Sequence, residues 1–211
     1  MVRIAPPPPE RTPNPIIQVL PIGTHIVRIY DPTRHGATAI GFRYYGPILR
    51  FDHHGRDRHG QPTTSRCRAI YYGSVTLAGC MVELFGDTRF VEFGERYVAY
   101  ARLTRDISLL DLCGHGAMRA GINTALTVYP RRRLTQDWSR YFYGRADLYP
   151  RVDGLMWNSA HNGDVVYALY ERATDALECP LARIIRLNDP DLRPLILDLA
   201  AEHNLSVSPL N

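Results

Sequence analysis

Lysine is absent. All 25 basic side chains of this 211-residue chain are arginine, a bias that a GC-rich genome is enough to explain. The physical consequence holds whatever its origin: each cation is a planar fork matched to the oxygens of phosphate or carboxylate. Strong net charge is lacking too, because 21 acidic residues leave only +4. That is too little to argue for nucleic acid as a partner, and no direct nucleic-acid binding is expected. No apolar run approaches the roughly 18 residues of a membrane span, so no membrane partner is expected either. The residues after Met1 include no apolar stretch, which predicts a chain without a secretory signal. Cysteine is sparse. Cys67, Cys80, Cys113 and Cys179 lie far apart with no CxxC pair and read as reduced thiols in the cytoplasm. Repeats and a regular βαβ alternation are also missing, which favours an α+β domain.

What is present suits one domain with a large core: 45% of residues are hydrophobic and 22% charged. Residues 1–20 open with APPPPERTPNP, whose prolines forbid helix and favour an extended arm against the surface. Residues 21–211 make up the single domain. Strands are expected over Thr24–Tyr30, Arg96–Arg102, Ile107–Leu112, Val152–Ser159 and Asp164–Tyr170. Gly41–Phe51 reads as a loop with short extended pieces. Leu134–Tyr143 reads as a helix. So does Pro190–His203, with Leu192, Leu195, Ile196 and Leu199 on one face.

The stretch Arg68–Phe85, RAIYYGSVTLAGCMVELF, organises the rest. Ala69–Tyr72 suits a buried strand, Gly73 breaks it, and Ser74 caps a helix that runs from Val75. That helix is apolar at nearly every position and carries one charge, Glu83. A lone carboxylate there either reaches solvent at a rim or is held for a purpose, because burying it unpaired costs several kcal/mol in order of magnitude.

Two groups of residues suggest chemistry. The run Asp52-His53-His54-Gly55-Arg56-Asp57-Arg58-His59 holds metal-ligand types. Its arginines repel a cation and no fourth ligand stands at a fixed spacing. A solvated loop is therefore expected, and the alternative is a metal-dependent hydrolase built on His53–His59. His115, between glycines in CGHGA, reads as an ordinary loop histidine. The run Arg131-Arg132-Arg133 reads as a solvated face.

The second group is Arg50, Tyr72, Glu83 and Ser159. Neither composition nor periodicity selects it. GPILRFDHH, then AIYYG, then MVELF, and late in the chain DGLMWNS followed by VVYALY, together resemble the RES domain family. In that family an arginine precedes a strand ending in tyrosine, a helix places a glutamate 11 residues on, and a late strand carries a serine. Here 83 − 72 = 11. The segment between Arg50 and Tyr72 is longer than in many members, so Arg28 on an early strand stands beside Arg50 as the family arginine.

The resemblance implies a fold similar to ADP-ribosyltransferases, with a mixed sheet core and flanking helices. It implies an enzyme that degrades NAD, its substrate, by cleaving the nicotinamide–ribose bond through hydrolysis or phosphorolysis. The alternatives are transfer of ADP-ribose to a protein, or a non-catalytic binding module. Many members are toxins paired with an Xre-type antitoxin, and homodimers occur. Under this reading Arg50 or Arg28 clamps the pyrophosphate. Tyr72 stacks on nicotinamide. Glu83 stabilises positive charge on the ribose. Ser159 binds nicotinamide or ribose and orients the carboxylate. The plainer readings are a surface ion pair for Arg50, core for Tyr72 and Trp157, and a turn cap for Ser159.

Overall fold

The computed structural model describes residues 4–209. The first three residues of the proline-rich arm and the last two of the chain lie outside the described residues. In chain order the strands are β1 (Ile17–Leu20), β2 (His25–Tyr30), β3 (Tyr45–Gly46), β4 (Thr63–Thr64), β5 (Ile70–Ser74), β6 (Phe90–Val91), β7 (Tyr97–Leu103), β8 (Ile107–Asp111), β9 (Gly154–Asn158), β10 (Val165–Tyr170), β11 (Leu177–Glu178), β12 (Ile184–Arg186) and β13 (Ser206–Val207). The helices are α1 (Leu77–Phe85), α2 (His115–Arg119), α3 (Arg132–Gly144) and α4 (Arg193–Glu202).

Among the described residues one mixed sheet dominates, in the order β1-β8-β9-β10-β5-β2-β7-β11, with β12 also on β7. Its pairs are antiparallel except β8–β9, which is parallel. The central strands β5 and β10 are buried because their β-branched and aromatic residues pack on both faces. Successive side chains point to opposite faces. Ile70 and Tyr72 therefore join one cluster and Tyr71 another.

The Tyr71 face packs on itself. Its cluster takes Leu20, Ile107 and Leu109 from one end of the sheet and Ala101 and Leu103 from the other, so the sheet curls. The opposite face carries the helices in two separate clusters. Met81 and Phe85 of α1 pack with Ile196 and Ala200 of α4 over β2 and β7. Trp138 and Phe142 of α3 pack with Leu155, Trp157 and Ala168 over β9 and β10. Each large apolar side chain buried in this way contributes about 1.5–3 kcal/mol.

The α+β class expected from the irregular element order is the class observed. Four local expectations change. Gly73 and Ser74 do not end the strand; both lie within β5 and pair with Tyr167 and Val166. The cap of α1 is Thr76, whose side chain accepts a hydrogen bond from Gly79 N. Ile17–Leu20, the end of the proline-rich segment, pairs with β8 at the edge of the sheet. Leu192 just before α4, and Ile196 and Leu199 within it, pack on the core, but Leu195 is exposed.

The segment after Phe51 is only in part the solvated loop expected of it: Asp57, Arg58 and His59 are exposed, but its first three residues are not. Asp52, His53 and His54 are fully buried. The His53 ring lies against Tyr143 and Tyr170, and its Nε2 meets Glu171 at 2.9 Å. His54 Nε2 meets the Arg43 carbonyl at 3.2 Å. Polar groups tolerate such burial when they find partners, and composition alone does not reveal partners that lie far along the chain.

Candidate functional site

A cleft of about 290 Å³ opens where the two helix-bearing clusters meet. Tyr72, Val166 and Trp157 of three adjacent strands line its floor. Glu83 and Asp87 stand on the α1 side, and Arg50 and Arg132 on the other.

The Glu83 wall follows from how α1 sits on the sheet. Leu77, Met81, Val82 and Phe85 are buried, so Glu83 is turned outward and is exposed. Thr76 fixes the start of the helix, accepting from Gly79 N at 2.8 Å while donating to Asp164 Oδ2. Gly79 permits the close seat: a Cβ there would meet Ser74 Oγ at 2.2 Å. Farther along, Gly86 lies against the His161 ring.

Ser159 follows β9 in a tight turn closed by Ser159 N to Asp164 O (2.8 Å) and Gly163 N to Ser159 O (3.0 Å). Its hydroxyl is only 4% exposed as a residue and donates to Glu83 Oε1 at 2.6 Å. Residues 76 positions apart thus form one hydrogen-bonded pair. A charge-assisted bond of this length fixes the carboxylate rotamer.

The opposite wall is held by α3. Thr135 donates to the Arg50 carbonyl, Gln136 Nε2 to Leu49 O at 2.9 Å and Ser139 to Phe51 O at 2.7 Å. These bonds fix the backbone that presents Arg50, whose guanidinium also donates to Tyr129 O. Burial lowers the Arg50 pKa and Glu83 across the cleft raises it; a guanidinium stays cationic throughout. The Tyr72 ring stands edge-on to Trp157, and its hydroxyl donates to Asp52 at 2.8 Å. Burial, reinforced by the Asp52 charge, raises the phenol pKa well above its usual value, so the group stays a donor.

Of the five expected residues, the structure gathers Arg50, Tyr72, Glu83 and Ser159 and leaves Arg28 out. Val27 is the β2 residue paired with Ser74, so its neighbour Arg28 points to the other face. There its guanidinium lies over the Tyr71 ring at 4.5 Å and donates to Gly41 O. Arg28 is therefore not a wall of this cleft. His115 is exposed at the start of α2 and does not line it either. Trp157, expected as plain core, is 4% exposed yet forms part of the floor. Arg132 was concealed in a basic run and His161 in a turn. Neither carried a sequence signal beyond residue type.

His59 is exposed and bonds to Arg58, away from the buried His53 and His54. Among the described residues no three His, Cys, Asp or Glu side chains converge as metal ligands. No helix of the described residues is long and apolar enough to cross a membrane.

A family model described as the RES domain matches residues 25–193. The chain belongs to the RES domain family. The match spans both walls of the cleft, from β2 to the first residue of α4. This RES domain is also similar in fold to a solved structure described as the M. tuberculosis MbcT–MbcA toxin–antitoxin complex. The likeness has a TM-score of 0.53 at 14% identity and covers 87% of this chain and 92% of the other. At that identity the likeness concerns fold alone. No curated protein matches the RES domain chain in sequence.

Proposed function

We propose that this RES domain cleaves the nicotinamide–ribose bond of NAD, and that it does so as the toxin of a toxin–antitoxin pair. The observation that carries the reading is the Glu83–Ser159 pair, facing Arg50 across a cleft floored by Tyr72 and Trp157. The cleft is small for a whole dinucleotide and suits its nicotinamide–ribose half. Glu83 beside the anomeric carbon stabilises the positive charge that develops on the ribose. The carbon–nitrogen bond breaks with its electron pair going to the ring nitrogen. Nicotinamide leaves neutral and needs no general acid. Water or phosphate oxygen then bonds the same carbon, and its proton passes to Glu83 or solvent. Ser159 keeps the carboxylate aimed, Tyr72 and Trp157 face the flat cationic ring, and Arg50 meets phosphate oxygens.

The toxin assignment rests on family membership and on the fold shared with a toxin–antitoxin complex. The proposed macromolecular partner is an Xre-type antitoxin encoded beside this chain, the proposed setting is the cytoplasm, and the proposed assembly is a homodimer, which light scattering tests. One observation favours a second reading, transfer of ADP-ribose to a protein side chain: Glu83 stands exposed at the mouth, where a large acceptor has access. Incubation of purified protein with NAD, with and without phosphate, separates the acceptors by product mass. Free ADP-ribose indicates water, a phosphorylated product indicates phosphate, and labelled protein indicates transfer. Glu83→Ala should abolish nicotinamide release while the protein stays folded. Intact NAD both with and without phosphate would reject the reading.

A further inference from the structure

Asp52 lies behind the cleft and bonds to two residues that line it, Tyr72 and Leu49. Its carboxylate is fully buried. It accepts from Arg43 Nη2 at both oxygens (2.8 and 2.8 Å), from the backbone amides of Ile48 (2.6 Å) and Leu49 (2.9 Å), and from the Tyr72 hydroxyl (2.8 Å). Arg43 is itself anchored, its backbone exchanging hydrogen bonds with Ile70 at the start of β5. One side chain thereby joins β5, which carries Tyr72, to the turn that presents Arg50.

We infer that Asp52 is a positioning residue of this site, holding the Tyr72 ring and the Arg50 turn in register with each other. The inference rests on the proposed NAD chemistry for its kinetic readout. It does not make Asp52 a catalytic residue, since the carboxylate is walled off by its own donors. The alternative is a role in stability alone. A buried ion pair is weak support for stability, because an apolar set of the same shape often serves as well. Here three of the four donating groups belong to, or directly precede, residues that line the cleft: Leu49 and Tyr72 line it, and Ile48 begins the same turn. The charge is spent on register between two pieces of chain 22 residues apart, Arg50 and Tyr72.

The test compares Asp52→Asn, Tyr72→Phe and the double variant with wild type. Three readouts are taken: nicotinamide release from NAD, melting temperature and amide hydrogen exchange. Asp52→Asn should lower kcat/KM by about 10- to 100-fold, the scale of a hydrogen bond to a charged group. Exchange at Ile48 and Leu49 should quicken while protection of α1 and β10 stays as in wild type. The double variant should fall little below Asp52→Asn, since both changes break one path. Wild-type kcat/KM in Asp52→Asn overturns the inference, and so does a loss that appears only with a global fall in melting temperature and protection. If Asp52→Asn does not fold, Tyr72→Phe decides: unchanged kcat/KM overturns the inference and a fall supports it. If wild type leaves NAD intact, the proposed function fails separately. Exchange at Ile48 and Leu49 then decides alone, local quickening supporting the positioning role and unchanged protection removing it.

Discussion

Glu83 and Ser159 divide their labour in a way that substitution can separate. Glu83→Gln keeps an acceptor for the Ser159 hydroxyl but removes the charge that faces the ribose. Nicotinamide release should fall about 100-fold or more, with the melting temperature nearly unchanged because Glu83 is exposed. Ser159→Ala leaves the charge but frees its rotamer, so a smaller loss of about 10-fold is expected in the same assay. His54 offers a prediction about pH. Burial, helped by His53 and Arg43 and opposed by Asp52, lowers its pKa from 6.5 to about 4. The unfolded chain then binds a proton that the folded chain refuses, so stability falls as pH drops from about 6.5 to 4. His54→Gln should flatten that slope in urea midpoints measured across the range. Glu171 acts lower down. Burial would raise its pKa, but the hydrogen bonds from His53 and Tyr143 outweigh it and bring the value to about 2. Its contribution is therefore present above about 4.5 and lost as pH falls toward 2. At this scale the sequence was informative where a spacing existed, as between Tyr72 and Glu83. It left Arg28 standing beside Arg50 as a candidate clamp, because strand alternation says that neighbours face opposite ways but not which face holds the cleft.

The junction of β5 and α1 is the element on which the Glu83 wall depends. Gly79→Ala should gain helix propensity of about 1 kcal/mol yet destabilise the protein by about 1–3 kcal/mol net. The added carbon meets Ser74 Oγ, which is tethered to Val165 O. Thr76→Ala should cost about 1 kcal/mol as a lost cap, lowering the melting temperature by about 2–4 °C. A milder effect for Gly79→Ala than for Thr76→Ala in denaturant melts would contradict the close seating of the helix. The helix itself was legible from its apolar run. Its start was displaced by two residues because Gly73 and Ser74 look like a turn, whereas strand pairing to β10 on one side and β2 on the other holds them extended. The burial of Asp52, His53 and His54 was illegible for a similar reason: their partners Tyr72, Glu171 and Arg43 come from other parts of the chain.

Across the whole molecule the proline-rich arm is fastened at several points. Trp138 Nε1 donates to Ala5 O at 2.9 Å, Asn14 N donates to Arg119 O at 2.9 Å, and β1 completes one edge of the sheet. Deleting residues 1–12 should uncover Trp138, now 2% exposed, and shift tryptophan emission to the red with a modest loss of melting temperature. An unshifted spectrum would show that the arm does not cover that ring. The composition foretold an extended arm, but not that its end enters the sheet, since pairing with β8 is a contact across some ninety residues. The two helix-bearing halves share the strands beneath the cleft. A molecule lodged there and gripped from both sides acts as a keystone, adding a brace that the covalent chain does not provide. Occupancy should then be readable without any chemistry, as a rise in heat resistance that grows with the logarithm of ligand concentration.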